Sequence, residues 1–180
     1  MGEMKELTDS KIDNAITDFL SNFPFFSDLK EDQLEIISDY INFIEIGEGK
    51  VLFSEGDKGD CMYFVIDGEL DIIKESVSGG KIGIDKVVIA TLSKGSSIGE
   101  MSIIDDISRS ATVSTRTKAT LVSFTRKGFS LILENQPEIG AKILIGLSRL
   151  LSKSLRKTSG RLADYTLAKI PRNKVEIKGA

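Results

Sequence analysis

The spacing of apolar residues along this chain switches period twice. Ile12, Ile16, Phe19 and Leu20 follow the cap residues Thr8, Asp9 and Ser10 at helical intervals, which predicts an amphipathic helix broken at Pro24-Phe25-Phe26. A second helix restarts at Ser27-Asp28 and runs to about Tyr40. From Ile41 to Phe124 the texture becomes short β-branched and aromatic runs at 51–53, 62–66, 70–73, 87–90, 111–114 and 119–124, separated by glycine and Asp/Ser turns. Strands this short and this regularly spaced predict an antiparallel β-roll of the jelly-roll type, so the fold class is mainly β with flanking helices.

Gly49, Gly56, Gly59 and Gly68 fall between these runs, where a positive φ is expected, and Ser76 to Lys81 reads as a polar hairpin tip. After Arg126 the helical period returns. Phe129, Leu131, Ile132 and Leu133 predict a short helix interrupted at Asn135-Gln136-Pro137. Proline suits a first helical turn, so a longer helix begins there and carries Ile139, Ile143, Leu144, Leu147, Leu150, Leu151 and Leu155. Ser159-Gly160 weakens it, Leu162 and Tyr165 prolong it, and the tail from Pro171 to Ala180 is polar, basic and expected to fray. The organisation expected is an N-terminal helix over 1–24, a β-roll over 25–125, C-terminal helices over 126–170 and a tail over 171–180.

Composition narrows the chemistry. A length of 180 residues and 41% hydrophobic content suffice for one full core. A net charge of only −3 gives no bulk attraction to nucleic acid or to an anionic membrane. One cysteine, Cys61, precludes an internal disulfide framework, and the absence of histidine removes Cys/His zinc sites and histidine-based triads, so most hydrolase mechanisms lose their usual base. The N-terminus is acidic and has no signal-peptide core, and no apolar run reaches membrane-spanning length; a cytoplasmic location is expected. Gly2 does not make a myristoylation motif, because Glu6 stands where Ser or Thr is wanted.

The densest chemistry lies in the segment Ser97 to Val113. A glycine, Gly99, precedes a carboxylate, Glu100, that opens a short helical turn, and Arg109 enters the next strand. Helix-start N–H groups around Met101 and Ser102 would face an anion, and Arg109 would donate a charge-assisted pair to two phosphate oxygens. Glu100, an acceptor, suits a ribose hydroxyl and repels phosphate, so the two residues want opposite ends of one sugar-phosphate. On these residues alone a Glu100–Arg109 salt bridge bracing the loop explains the pattern equally well.

The segment from Gly99-Glu100 through Arg109-Ser110-Ala111-Thr112-Val113 closely resembles the phosphate-binding cassette of the cyclic-nucleotide-binding domain family, which includes the regulatory subunit of cAMP-dependent protein kinase, the bacterial catabolite activator protein and cyclic-nucleotide-gated channels. Gly49 to Asp57 is similar to that family's opening strand and turn, and Met62 to Leu70 to its following hairpin. The resemblance runs in order from about Phe25 to about Leu155. It implies that Arg109 pairs with a cyclic phosphate, that Glu100 holds the ribose 2′-hydroxyl, that Gly99 lets the backbone approach the sugar, and that the N–H groups of Ser102 and of Ser110 or Ala111 complete the phosphate cradle. In that family threonine after the arginine accompanies cGMP and alanine accompanies cAMP. Ser110 therefore leaves cAMP as the expected ligand and cGMP as the alternative.

An apolar wall for the purine is expected from Val88, Ile89 and Ile98, and a polar lid from Ser154 or Thr158. The resemblance further implies a sensor that does no chemistry and needs no metal or cofactor, and that on binding shifts the C-terminal helices and regulates a separate protein effector. Too few residues follow the long helix for a helix-turn-helix module, so a stand-alone form with no direct DNA binding is expected. Ile139, Ile143, Leu147, Leu150 and Leu151 at near-heptad spacing suggest either a homodimer through the long helix or packing of that helix on its own domain. The competing functions are an interaction scaffold that has kept the fold without binding nucleotide, and a sensor for a cyclic dinucleotide or haem, which the small cassette and the missing histidine respectively disfavour.

Overall fold

The computed structural model describes residues 5–6, 20–21, 23–77 and 84–169. The predicted helix before Pro24 lies outside them apart from Leu20 and Ser21, which are helical, as do the polar hairpin tip beyond Val77 and the tail from residue 170.

Strands β1 (Lys5–Glu6), β2 (Ile41–Ile46), β9 (Ala119–Thr125), β4 (Cys61–Asp67) and β7 (Ser97–Ile98) form one sheet in the order β1-β2-β9-β4-β7. Strands β3 (Val51–Phe53), β8 (Thr112–Thr115), β5 (Leu70–Val77) and β6 (Ile84–Leu92) form the other in the order β3-β8-β5-β6, and every pairing is antiparallel. This is the predicted β-roll. Strands β4, β5, β6 and β9 extend beyond the predicted runs, β3 matches its run and β8 is displaced by one residue, because β-propensity alone does not mark where pairing ends.

Strand β4 shows how the two layers are organised. Successive side chains point to opposite faces. Cys61, Tyr63 and Val65 join Ile44, Leu70, Val113 and Leu121 inside the roll, whereas Met62 and Phe64 join the helical core. That second core is aromatic: Phe23 meets Phe64 edge-on at 4.8 Å, and Phe25 and Phe26 lie 5.2 and 5.3 Å from the same ring.

The chain enters through a 3-10 turn at Pro24–Phe26, and helix α1 begins at Glu31 rather than at Ser27. Lys30 is extended at the cap, and its N–H donates to Gln33 Oε1 at 3.2 Å. Helix α2 (Met101–Ile104) is a single turn inside the cassette. Helix α3 (Arg126–Asn135) follows β9 with no linker, capped by Thr125, whose side chain accepts from the Gly128 N–H at 3.0 Å. Pro137 then opens helix α4 (Pro137–Lys169), which continues through Ser159-Gly160.

Ile139, Ile143 and Leu147 are buried against this chain's own core, so these three proposed dimer residues are not free for a second copy. The apolar side chains that α4 leaves exposed are Leu144, Ile145, Leu155, Leu162, Tyr165 and Leu167. Close packing of α4 on the 3-10 turn depends on Gly146, where a Cβ would collide with the Phe25 carbonyl oxygen.

Candidate functional site

The roll opens on a cavity of about 400 Å3 between β3, β5, β6, the cassette and α4. Gly99, Glu100, Met101, Ser102, Arg109, Ser110, Ala111 and Ile98 all line it, as does Thr158 from the long helix. Val88 does not. Ile89, expected beside it, does, because neighbouring strand residues face opposite ways and the β5–β6 register is irregular at Ile72/Ile73, a parity that sequence cannot fix. Ser154 faces a different cavity, one helical turn short of Thr158.

Arg109 is the organising residue. It is only 6% exposed, and its guanidinium donates to Ser102 Oγ at 3.0 Å through Nη1 and to the Cys61 carbonyl at 2.8 Å through Nη2. The guanidinium carbon lies 4.1 Å from the centroid of the Phe53 ring and 5.9 Å from that of Tyr63, and these two rings are themselves stacked at 6.1 Å. A cation held over aromatic faces keeps its orientation and much of its charge while shedding water. Burial pushes the Tyr63 hydroxyl and the Cys61 thiol up from their usual ranges, so both stay protonated, and the thiol donates to Tyr63 Oη at 3.1 Å.

Two glycines make room for this arginine. Gly99 has φ +81°, and a Cβ there would strike Arg109 Nη1. Gly59 lacks the positive φ expected from the sequence. Its role is space, since a Cβ would collide with Ser102 Oγ and lie 2.8 Å from Arg109 Nε. The backbone holds the same residue from both sides: the Arg109 N–H donates to the Asp57 carbonyl at 2.8 Å, and the Arg109 carbonyl accepts from the Gly56 N–H at 2.9 Å.

No ion pair joins Glu100 to Arg109. The salt-bridge reading of the cassette is thereby replaced by an arginine whose hydrogen bonds are to neutral groups, the Ser102 hydroxyl and the Cys61 carbonyl and thiol, and a carboxylate that lines the same cavity. Desolvation raises the Glu100 carboxyl above its usual range, offset in part by a backbone hydrogen bond and by the Arg109 charge. The Ser102 N–H donates to the Gly99 carbonyl at 3.1 Å, closing the turn of α2, so what Ser102 brings to Arg109 is its hydroxyl.

Several lining residues come from elements distant in sequence: Phe53 from β3, Ile72 and Lys74 from β5, with Lys74 paired to Glu55 at 2.5 Å. Arg126, the first residue of α3, was also not singled out by sequence. It donates to the Ser102 carbonyl at 2.8 Å, to the Gly59 carbonyl at 3.0 Å and to the Asp105 carbonyl, and it pairs with Asp106, whose carboxyl it holds below the usual range. A basic residue in a strand-to-helix junction carries no sequence mark of such a role.

A two-sheet roll with a buried arginine and a carboxylate on the wall of one cavity, which the long C-terminal helix borders through Thr158, defines a module with a small-ligand pocket. The family model of the cyclic nucleotide-binding domain matches residues 43–136, just over half of the chain, and the chain belongs to that family. It is 31% identical over 115 residues to the cAMP-dependent protein kinase regulatory subunit of Yarrowia lipolytica, covering 64% of this chain and 28% of the relative. It is 24% identical over 154 residues to a CRP-like cAMP-activated global transcriptional regulator of Mycobacterium tuberculosis, covering 86% of this chain and 65% of the relative. Among solved structures, a cyclic nucleotide-binding domain from Methylobacillus flagellatus superposes with a TM-score of 0.76 at 26% identity, covering 96% of this chain and 92% of that one. No described helix is long and apolar enough to cross a membrane.

Proposed function

We propose that this chain is a cytoplasmic cAMP sensor that performs no catalysis and regulates a separate protein by moving its C-terminal helices. The observation that carries the proposal is Arg109: nearly fully buried, aimed into a cavity of about 400 Å3, and not neutralised by the one carboxylate on the cassette wall.

A guanidinium has five N–H donors. Two are used on Ser102 Oγ and the Cys61 carbonyl and a third reaches Cys61 Sγ at 3.7 Å, which leaves two donors for the two exocyclic oxygens of a cyclic phosphate. Glu100, on the same cavity wall, accepts the ribose 2′-hydroxyl. Ile72, Ile89 and Ile98 offer the purine an apolar wall, and Thr158 closes over it from α4.

Arg126 connects that event to the helices, because it binds cassette carbonyls while forming the first turn of α3. Ligand that draws the cassette in therefore pulls directly on α3 and, through Pro137, on α4.

Calorimetry with cAMP and cGMP, paired with hydrogen exchange over residues 126–160, tests this. The expected result is cAMP binding with changed exchange across α3 and α4, and a loss of about 100-fold or more in affinity for Arg109→Ala and for Arg109→Lys, since each charge-assisted bond is worth about 1.5–3 kcal/mol and lysine cannot make a bidentate fork. No binding of cAMP to the wild-type chain, or equal affinity in the Arg109→Ala variant, would overturn it; tighter binding of cGMP would replace the ligand named here.

A further inference from the structure

A second cavity, of about 410 Å3, lies between α4, the 3-10 turn and the β6–β7 turn. It is lined by three cations and no acidic residue, on a chain whose net charge is −3. Arg149, Lys153 and Lys157 stand at four-residue intervals, which places them along one face of α4. Arg149 is paired with Asp28 at 2.7 Å. Lys153 and Lys157 have exposed side chains with no hydrogen-bond or ion-pair partner among the described residues.

Alongside these cations the wall is apolar, made by Pro24, Leu92 and Leu150 over the nearly buried Phe23 and Phe25, while Ser96 and Ser97 add hydroxyls at the β7 edge. Unpaired positive charge beside an apolar wall, in a volume within the small-molecule range of roughly 300–1,000 Å3, selects a ligand that joins several negative charges to an apolar body.

The position of this cavity matters as much as its lining. In β7, Ser97 lines the second cavity and Ile98 the first. In α4, Lys157 lines the second and Thr158 the first. The two cavities are thus separated by adjacent residues of the same strand and the same helix. Anything that bridges the α4 lysines to the β6–β7 turn fixes α4 against the wall of the first cavity.

We propose that this chain carries a second ligand site, for an organic polyanion of the nucleoside-polyphosphate type, and that its occupancy biases α4 and hence the affinity of the first site. The site itself stands on the cavity alone; only the coupling rests on the cyclic-nucleotide reading above.

The test uses the full chain with ATP as probe and tripolyphosphate as the comparison lacking an apolar body. ATP is expected to slow hydrogen exchange at residues 92–97 and 149–158, with tripolyphosphate at least tenfold weaker. The double charge reversal Lys153→Glu/Lys157→Glu is expected to abolish the protection, and Arg109→Ala, which disables the first cavity, to leave it intact. Saturating ATP is expected to change cAMP affinity at least threefold. Protection that is absent, or that survives the charge reversal, or that disappears with Arg109→Ala, overturns the site. Equal binding of tripolyphosphate overturns the role of the apolar wall, and an unchanged cAMP affinity overturns the coupling. A chain that shows ATP protection but no binding of cAMP keeps this site and sinks the sensor reading, so the two failures are distinguishable.

Discussion

The aromatic cushion under Arg109 assigns Phe53 a task that plain cavity lining would not. A guanidinium 4.1 Å from the ring centroid is oriented before any ligand arrives. Phe53→Leu keeps an apolar side chain at the position but removes the π face. The expected outcome in calorimetry is about 2- to 30-fold weaker cAMP binding, the equivalent of a cation–π contribution of about 0.5–2 kcal/mol, with a melting temperature close to that of the wild type. Unchanged affinity would show that Ser102 and the Cys61 carbonyl suffice to aim the arginine.

Glu100 adds a pH dependence at the same scale. Burial raises its carboxyl pKa in the folded chain, so it takes up a proton at a pH where a free glutamate, at about 4.3, is still ionised. The ionised form is the better acceptor for a ribose hydroxyl, so cAMP affinity is expected to fall as pH drops toward the raised value, and Glu100→Gln is expected to bind more weakly and with a flatter profile. The sign for folding is opposite. A carboxyl whose folded pKa is raised favours the folded state at low pH, and that contribution is lost as pH rises from the unfolded value through the folded one. Titrating both binding and stability separates these two slopes.

At the scale of elements, the link that matters is Arg126, which opens α3 yet donates to the Ser102, Asp105 and Gly59 carbonyls. Arg126→Ala is expected to retain cAMP binding within about tenfold, because Arg126 does not line the cavity and its removal costs stability rather than a ligand contact, while the ligand-dependent change in α3 and α4 exchange disappears. Intact long-range protection in that variant would move the coupling elsewhere.

What the sequence disclosed at this scale follows from contiguity. The cassette from Gly99 to Val113 is one local segment, so its residue types and spacing marked it as a site, although a Glu100–Arg109 salt bridge fitted them equally well until the family resemblance was added. The partners of Arg109 were not legible, because Phe53, Gly59, Cys61 and Tyr63 reach it only through sheet pairing across some fifty residues. Gly59 was assigned a conformational reason when its reason is space, a distinction that turn composition does not contain. Val88 and Ser154 missed the first cavity because strand parity and helix phase depend on a bulge and on how α4 is docked, and both are set by tertiary packing.

For the molecule as a whole, β4 contributes Met62 and Phe64 to the helical core and Cys61, Tyr63 and Val65 to the interior of the roll. A strand that serves as the party wall of two hydrophobic compartments cannot let one melt and spare the other. Differential scanning calorimetry is therefore expected to show one cooperative unfolding transition, with matching van't Hoff and calorimetric enthalpies, moving upward as a single peak when ligand is added. Two separable peaks would mean that the roll and its helices part company. Under a shared wall, a mutation that loosens the phenylalanine cluster is felt at the distant arginine as lost occupancy, so weakened ligand capture in this chain is as readily inherited from Phe25 as from the cassette.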